Sequence, residues 1–181
     1  GNLSPTLDLI TACWGTCELC VEPETLLSGS WVVAGEPGGM GVGPTQGDVS
    51  WWSVSSSDVT ARTCLWDDKF TFEKGTVPGK GVFTIDLNGS TWLEPWQGGS
   101  DACGTPIAPH VGGTYAYEFT TATLEVIGTG AYMGLQKATN TGQDGSANEI
   151  TYIITTLNAT DMVLDIEAGT GVWWRLKFKK M

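Results

Sequence analysis

Five cysteines, nine tryptophans, one histidine and a handful of loop carboxylates are the side chains here with chemistry to offer. Cys13, Cys17 and Cys20 spell C-x3-C-x2-C, a spacing that can hold an iron–sulfur cluster. Enzymes that use it set the loop on the first strand of an α/β barrel, and no strand–helix alternation follows here. The cysteines read instead as disulfide partners: one bridge within the N-terminal arm and a second between Cys64 and Cys103. Five is an odd number, so one thiol is left over.

The tryptophans fall into two groups. Trp31 and Trp174 are in phase with apolar neighbours and are expected in the core. Trp51, Trp52, Trp92 and Trp96 lie in or beside glycine-rich loops, where an indole presents a flat, rigid face. Sugar rings stack their C–H groups on such faces, while carboxylates and amides bond the hydroxyls. The segment Ser90-Thr91-Trp92-Leu93-Glu94-Pro95-Trp96-Gln97 supplies both parts, and in an extended strand Trp92, Glu94 and Trp96 would point to one side. Gln97 and Asp101 add hydroxyl partners. Trp51 and Trp52 face opposite ways, so one of them serves as a second platform. His110 either ties its loop to a backbone carbonyl or reaches the ligand. The expected ligand set is therefore Trp51, Trp52, Trp92, Glu94, Trp96, Gln97, Asp101 and His110.

Catalysis asks for more. Glycoside hydrolysis needs two carboxyl groups flanking the scissile bond, and Asp67, Asp68, Glu94 and Asp101 are candidates by location. The strand signature E-x-D-x-x-E is absent, as is G-x-S-x-G. A glycoside hydrolase is thus the rival to a non-catalytic binder. Asp67-Asp68 reads as a solvated strand entry or as ligands of a structural calcium, and no other cofactor is expected. One histidine with no cysteine or carboxylate at ligand spacing makes no zinc site. Gly38 to Gly43 is not set between a strand and a helix, which rules out a phosphate cradle.

The elements that must position these residues are strands. Phe83, Ile85 and Leu87 alternate with polar neighbours, as do Tyr115, Tyr117 and Phe119, then Leu124 and Val126. Ile150, Tyr152 and Ile154 follow, then Met162, Leu164 and Ile166, then Trp174, Leu176 and Phe178. Leu157 to Asp161 is short enough for an antiparallel hairpin. A short helical turn fits Ser55 to Ala61. The pattern predicts an all-β domain, an antiparallel β-sandwich or flattened up-and-down β-barrel of about eight to ten strands. Residues 1–25 read as an arm or linker and 26–181 as one domain. Two long excursions, Gly35 to about Asp58 and Leu93 to Gly113, hold the loop tryptophans.

Twenty acidic against nine basic residues give a net charge of −11, with no basic stripe, which excludes a nucleic-acid partner. No apolar run approaches the ~20 residues that cross a bilayer, so membrane insertion is not expected. A polysaccharide or oligosaccharide partner fits this balance.

Leu27-Ser28-Gly29-Ser30-Trp31, GPTQGDVSWW (43–52), Arg62 to Phe70, Trp92 to Gln97, CGTPIAPH (103–110) and Gly130 to Leu135 together resemble a secreted module of Bacteroidota. That module accompanies laminarinase-like glycoside hydrolases and surface glycan-binding lipoproteins. The resemblance implies binding of a β-glucan, export to the medium or outer cell surface, and other domains in a longer parent protein. Gly29-Ser30-Trp31 near the first strand and Arg175 near the last also resemble lipocalin-like barrels. There an Arg packs over the Trp of the G-x-W motif, and a small apolar ligand sits inside the barrel. That analogy sets Arg175 on the inner face, whereas the alternation of Trp174, Leu176 and Phe178 sets it outside.

Overall fold

The computed structural model describes residues 22–181. Cys13, Cys17, Cys20 and nearly all of the predicted arm lie outside the described residues. In chain order the elements are α1 (Pro23–Leu27), β1 (Gly29–Val33), β2 (Met40–Gly43), β3 (Trp52–Ser53), α2 (Ser56–Ala61), β4 (Lys69–Lys74), β5 (Lys80–Asp86), β6 (Thr91–Leu93) and β7 (Ala102–Gly104). There follow β8 (Gly113–Phe119), β9 (Thr123–Ile127), β10 (Ala138–Thr139), β11 (Gly142–Gln143), β12 (Glu149–Leu157), β13 (Asp161–Glu167) and β14 (Trp173–Lys180).

Eight strands pair antiparallel in the order β1-β4-β5-β8-β9-β12-β13-β14, and β14 returns to pair with β1. The sheet is therefore a closed barrel and not a sandwich, and closure removes the free edges that invite aggregation. β14 is long enough to serve two partners. Its C-terminal half pairs with β1 and its N-terminal half with β2, which in turn pairs with β3.

The inward face follows the alternation read from the sequence, except that Tyr115, Phe119 and Ile154 are only half-buried at its margin. Trp31, Phe70, Phe72, Phe83, Ile85, Tyr117, Leu124, Val126, Ile150, Tyr152, Met162, Leu164, Ile166, Leu176 and Phe178 are all buried. Arg175, between Trp174 and Leu176, consequently lies on the outer face. There its Nε and Nη2 donate to Asp165 Oδ1 and Oδ2, each at 2.8 Å. The cation over Trp31 is Lys180 instead, with Nζ 5.2 Å from the ring centroid and donating to Leu26 O at 2.8 Å. The arrangement implied by the lipocalin-like motif is thus filled from the other end of β14. Trp31 also donates its Nε1–H to Leu27 O at 2.7 Å, which fastens α1 across the base of the barrel.

Because strand directions alternate, every second connection falls at the same end. The turns 75–79, 120–122 and 158–160 lie at the base with α1, whereas 34–68, 87–112, 128–148 and 168–172 all lie at the mouth. The mouth is where chain length has been spent. The first excursion carries β2, β3 and α2. The last of these begins with a capping box in which the Asp58 N–H donates to Ser55 Oγ at 3.3 Å and the Ser55 N–H to Asp58 Oδ2 at 2.9 Å. The second excursion carries the β6–β7 hairpin, and the Cys64–Cys103 disulfide joins the two excursions.

The third excursion turns inward. Tyr132 and Met133 are fully buried, and the Tyr132 ring meets Phe70 edge-on with centroids 5.8 Å apart. The Met133 N–H donates to Tyr152 Oη at 2.9 Å. Gly134 has φ +67°, and a Cβ there would stand 2.9 Å from Val33 Cγ2 and 3.1 Å from Phe178 Cζ, so this close approach requires glycine. The barrel is a packed core with a plug in its mouth.

Tyr132→Ala should lower the urea-unfolding free energy by about 3–5 kcal/mol, the usual range for truncating a buried aromatic ring. An unfolding midpoint equal to that of the unaltered protein would show that the ring is not part of the packing.

Candidate functional site

A cleft of about 360 Å³ opens at the mouth between the plug and the first two excursions, lined by Met40, Val42, Trp52, Arg62, Glu94, Leu135, Lys137 and Trp174. A narrower recess continues from it past Trp92 and Trp96. Its size is that of a site for one small molecule.

Each wall is set by a separate local device. Trp52 is on β3, held against β2 by its register with Val42. Arg62 caps the C-terminus of α2, two residues before the disulfide. Trp92 is in β6 opposite Cys103, so the same disulfide fixes Arg62 and Trp92 from both sides. The Arg62 guanidinium lies 4.6 Å from the Trp92 ring centroid and 5.4 Å from that of Trp52. Trp174 meets Trp52 edge-on at 6.0 Å and donates its Nε1–H to Gln143 Oε1 at 2.9 Å.

The strand carrying Trp92 ends at Leu93, and Trp92, Glu94 and Trp96 do not share one extended face. Pro95 has no N–H to give to a sheet and opens a 3-10 turn, Pro95–Gln97. Glu94 caps that turn while its N–H donates to Gln97 Oε1 at 3.0 Å. The turn nevertheless returns Trp96 to the recess, where its Nε1–H donates to Glu94 Oε2 at 3.0 Å. Lys137 spans Glu94, at 3.2 Å to Oε1 and 3.0 Å to Oε2, and lies 5.4 Å from the Trp174 ring centroid.

The expected ligand set therefore divides. Trp52, Trp92, Glu94 and Trp96 come together around the cleft. Gln97 stands behind them, donating to Gln136 Oε1 at 3.1 Å. Trp51 is 57% exposed and Asp101 is exposed, both off the cleft lining. His110 is buried, its ring edge-on to Trp96 and to Tyr132, and desolvation lowers its pKa below the ordinary imidazole value. It packs the plug rather than facing the cleft. Arg62, Lys137, Leu135 and Trp174 were not among the expected ligand residues. No sequence spacing marks Arg62 or Lys137, whose indole partners Trp52, Trp92 and Trp174 are far from them along the chain.

Beneath the cleft is a buried polar chain. Thr91 Oγ1–H donates to Asp68 Oδ2 at 2.6 Å, and Gln136 Nε2 donates to Tyr132 Oη at 3.1 Å and to Thr91 Oγ1 at 3.4 Å. Asp68 is thus not a solvated strand entry: it is fully buried, and its Oδ1 has no partner. Burial pushes its carboxyl up to about 8 against the opposing Thr91 hydrogen bond, and the charges of Asp67 and Asp86 add to the rise. As for the structural calcium, the described residues contain no group of three or more His, Cys, Asp or Glu side chains placed to hold a metal ion.

In the unfolded chain Asp68 titrates near its ordinary value of 3.8, so between about pH 4 and 8 unfolding releases a proton that the folded state holds. Stability from this group is complete below that window and falls as pH rises through it, by up to about 1.4 kcal/mol per pH unit. Asp68→Asn keeps the shape without the ionisation. Its melting temperature should decline less than that of the unaltered protein between pH 5 and 8. Parallel declines would mean that Asp68 is already charged in the folded state.

No protein-family model matches the chain, and no curated protein does. Among solved structures the chain is similar to a lipocalin-like protein from Bacteroides uniformis, with a TM-score of 0.40 and 14% identity over 86% of this chain and 99% of that one. It is also similar to an uncharacterized protein from Bacteroides eggerthii, with a TM-score of 0.38 and 12% identity over 86% of this chain and 99% of that one.

Proposed function

We propose that the protein is a non-catalytic binder of one small, flat, partly apolar molecule, held in the cleft at the barrel mouth. The supporting observation is the division of labour inside the barrel. Tyr132 and Met133 fill the space a central ligand would take, while Trp52, Trp92, Trp96 and Trp174 converge on the cleft above them. Indole walls supply contact area at little conformational cost, and a few polar groups fix orientation. Such a carrier differs from a barrel with an internal cavity only in where the ligand rests. Export belongs to the same proposal, since a disulfide between two loops persists in oxidising compartments. Among the described residues no helix is long and apolar enough to cross a membrane.

Polysaccharide binding is the second proposal, and the specific support for it is Trp51, the most exposed of the described indoles. Trp92 and Trp96 lend it less: the Trp92 Nε1 is enclosed and the Trp96 Nε1 is tied to Glu94. Loss of retention on insoluble β-glucan in Trp51→Ala would favour this second proposal over the first. Retention by neither protein would end it.

Titration with the neutral fluorophore N-phenyl-1-naphthylamine tests the leading proposal. Saturable enhancement is expected, weakened about tenfold by Trp52→Ala, because a buried aromatic contact is worth about 1–2 kcal/mol in such a site. Enhancement that is unchanged in both Trp52→Ala and Trp174→Ala would move the ligand out of the cleft.

A further inference from the structure

The electrostatics of the cleft oppose those of the whole chain. The protein carries −11, yet the charged residues lining the cleft are Arg62 and Lys137 against Glu94 alone, a local balance of +1. The two cations are not equivalent. Lys137 is neutralised by Glu94, with both carboxylate oxygens within hydrogen-bond distance. Arg62 is held more loosely, in a salt bridge one helical turn long to Asp58 with Nη2 to Oδ1 at 3.5 Å. The other Asp58 oxygen is engaged by the Ser55 backbone N–H and hydroxyl in the helix cap. Beside Arg62, the Trp92 Nε1–H is buried with no acceptor. An indole N–H can only donate, and a guanidinium has five N–H groups and no acceptor. With the Trp92 Nε1–H enclosed, what this corner offers a ligand is the donor-only guanidinium of Arg62, paired at long range to Asp58.

We infer that the cleft receives a monoanion, the carboxylate of a small aromatic or otherwise apolar acid, with Arg62 as its partner. This rests on the cleft being the binding site. A carboxylate matches the planar fork of an arginine in a two-pronged hydrogen-bonded pair, and its single charge cancels the local excess of one. Trp52 and Trp92 hold the guanidinium plane between them, so the fork is ordered before the ligand arrives and little side-chain entropy is lost on binding. The apolar body of the acid lies along Met40, Val42, Leu135 and Trp174. A dianionic phosphate would leave a charge uncancelled, and a neutral sugar, though its hydroxyls can accept from the arginine, would leave the positive charge uncancelled.

The test compares 2-naphthoate with 2-naphthamide, two probes of the same shape that differ by one charge, using isothermal titration at low salt. The acid should bind the unaltered protein about tenfold or more tightly than the amide, the scale of a hydrogen-bonded charge in a partly dry site. Arg62→Gln should abolish that preference, so that acid and amide bind the variant equally, and Arg62→Lys, which keeps the charge without the fork, should retain part of it. Equal affinity for acid and amide in the unaltered protein, or a preference that survives Arg62→Gln in a variant with native circular dichroism, overturns the inference and leaves cleft binding standing. Failure of both probes to bind at millimolar concentration removes the cleft reading as well.

Discussion

The site depends on one insertion: Tyr132 entering the mouth of the barrel and bonding there. An eight-stranded barrel has an interior just wide enough to be filled by side chains or to hold one small ligand. In this chain the aromatic inward set leaves room for one more ring, and the third excursion provides it. Edge contacts from Phe70 and His110 seat that ring, and Gln136 bonds its hydroxyl. The same Gln136 reaches Thr91, which donates to Asp68, so the plug is tied to the entry of β4 and to the second excursion. Once the plug is seated, Leu135 and Lys137 emerge at the mouth as part of the cleft wall. Filling the barrel and building the cleft are one event.

The topology decides where the rest of the wall comes from. A meander sends alternate connections to the same end, and this chain keeps the base turns short while the mouth receives all the longer segments. Hydrogen bonds such as Lys137 to Glu94 and Thr91 to Asp68 join those segments, and a covalent cross-link adds to them. The disulfide between Cys64 and Cys103, at a sequence separation of 39, limits their freedom near Arg62 and Trp92. The cleft is thus held by the barrel on one side and by a covalent clasp on the other, and its aromatic and cationic groups are ordered in advance of any ligand.

Much of this was legible in the sequence because burial and strand periodicity agree. Phe83 and Ile85, Leu124 and Val126, and Met162, Leu164 and Ile166 alternate cleanly and all face inward. The short helical turn expected at Ser55 to Ala61 is there as α2, Ser56–Ala61. Closure into a barrel was not decided, since alternation is the same on a sandwich face, and the pairing of β1 with β14 is a long-range event. The plug left no periodic trace: Tyr132, Met133 and Leu135 sit among glycines, and their burial comes from the barrel around them. Trp92, Glu94 and Trp96 looked like one face until Pro95 ended the strand. Arg62 and Lys137 were invisible as site residues because they meet their indole partners only across separate excursions.

In the proposed mode of binding the ligand rests at the mouth and leaves the plugged barrel untouched. Indole N–H resonances in a two-dimensional nitrogen–proton NMR spectrum, followed during addition of 2-naphthoate, address it directly. The signals of Trp52, Trp92 and Trp174 should shift together while that of Trp31, bonded to Leu27 at the base, stays in place. Shifts centred on Trp31, or a displaced Tyr132 ring with the mouth indoles unmoved, would put the ligand inside the barrel and contradict the account.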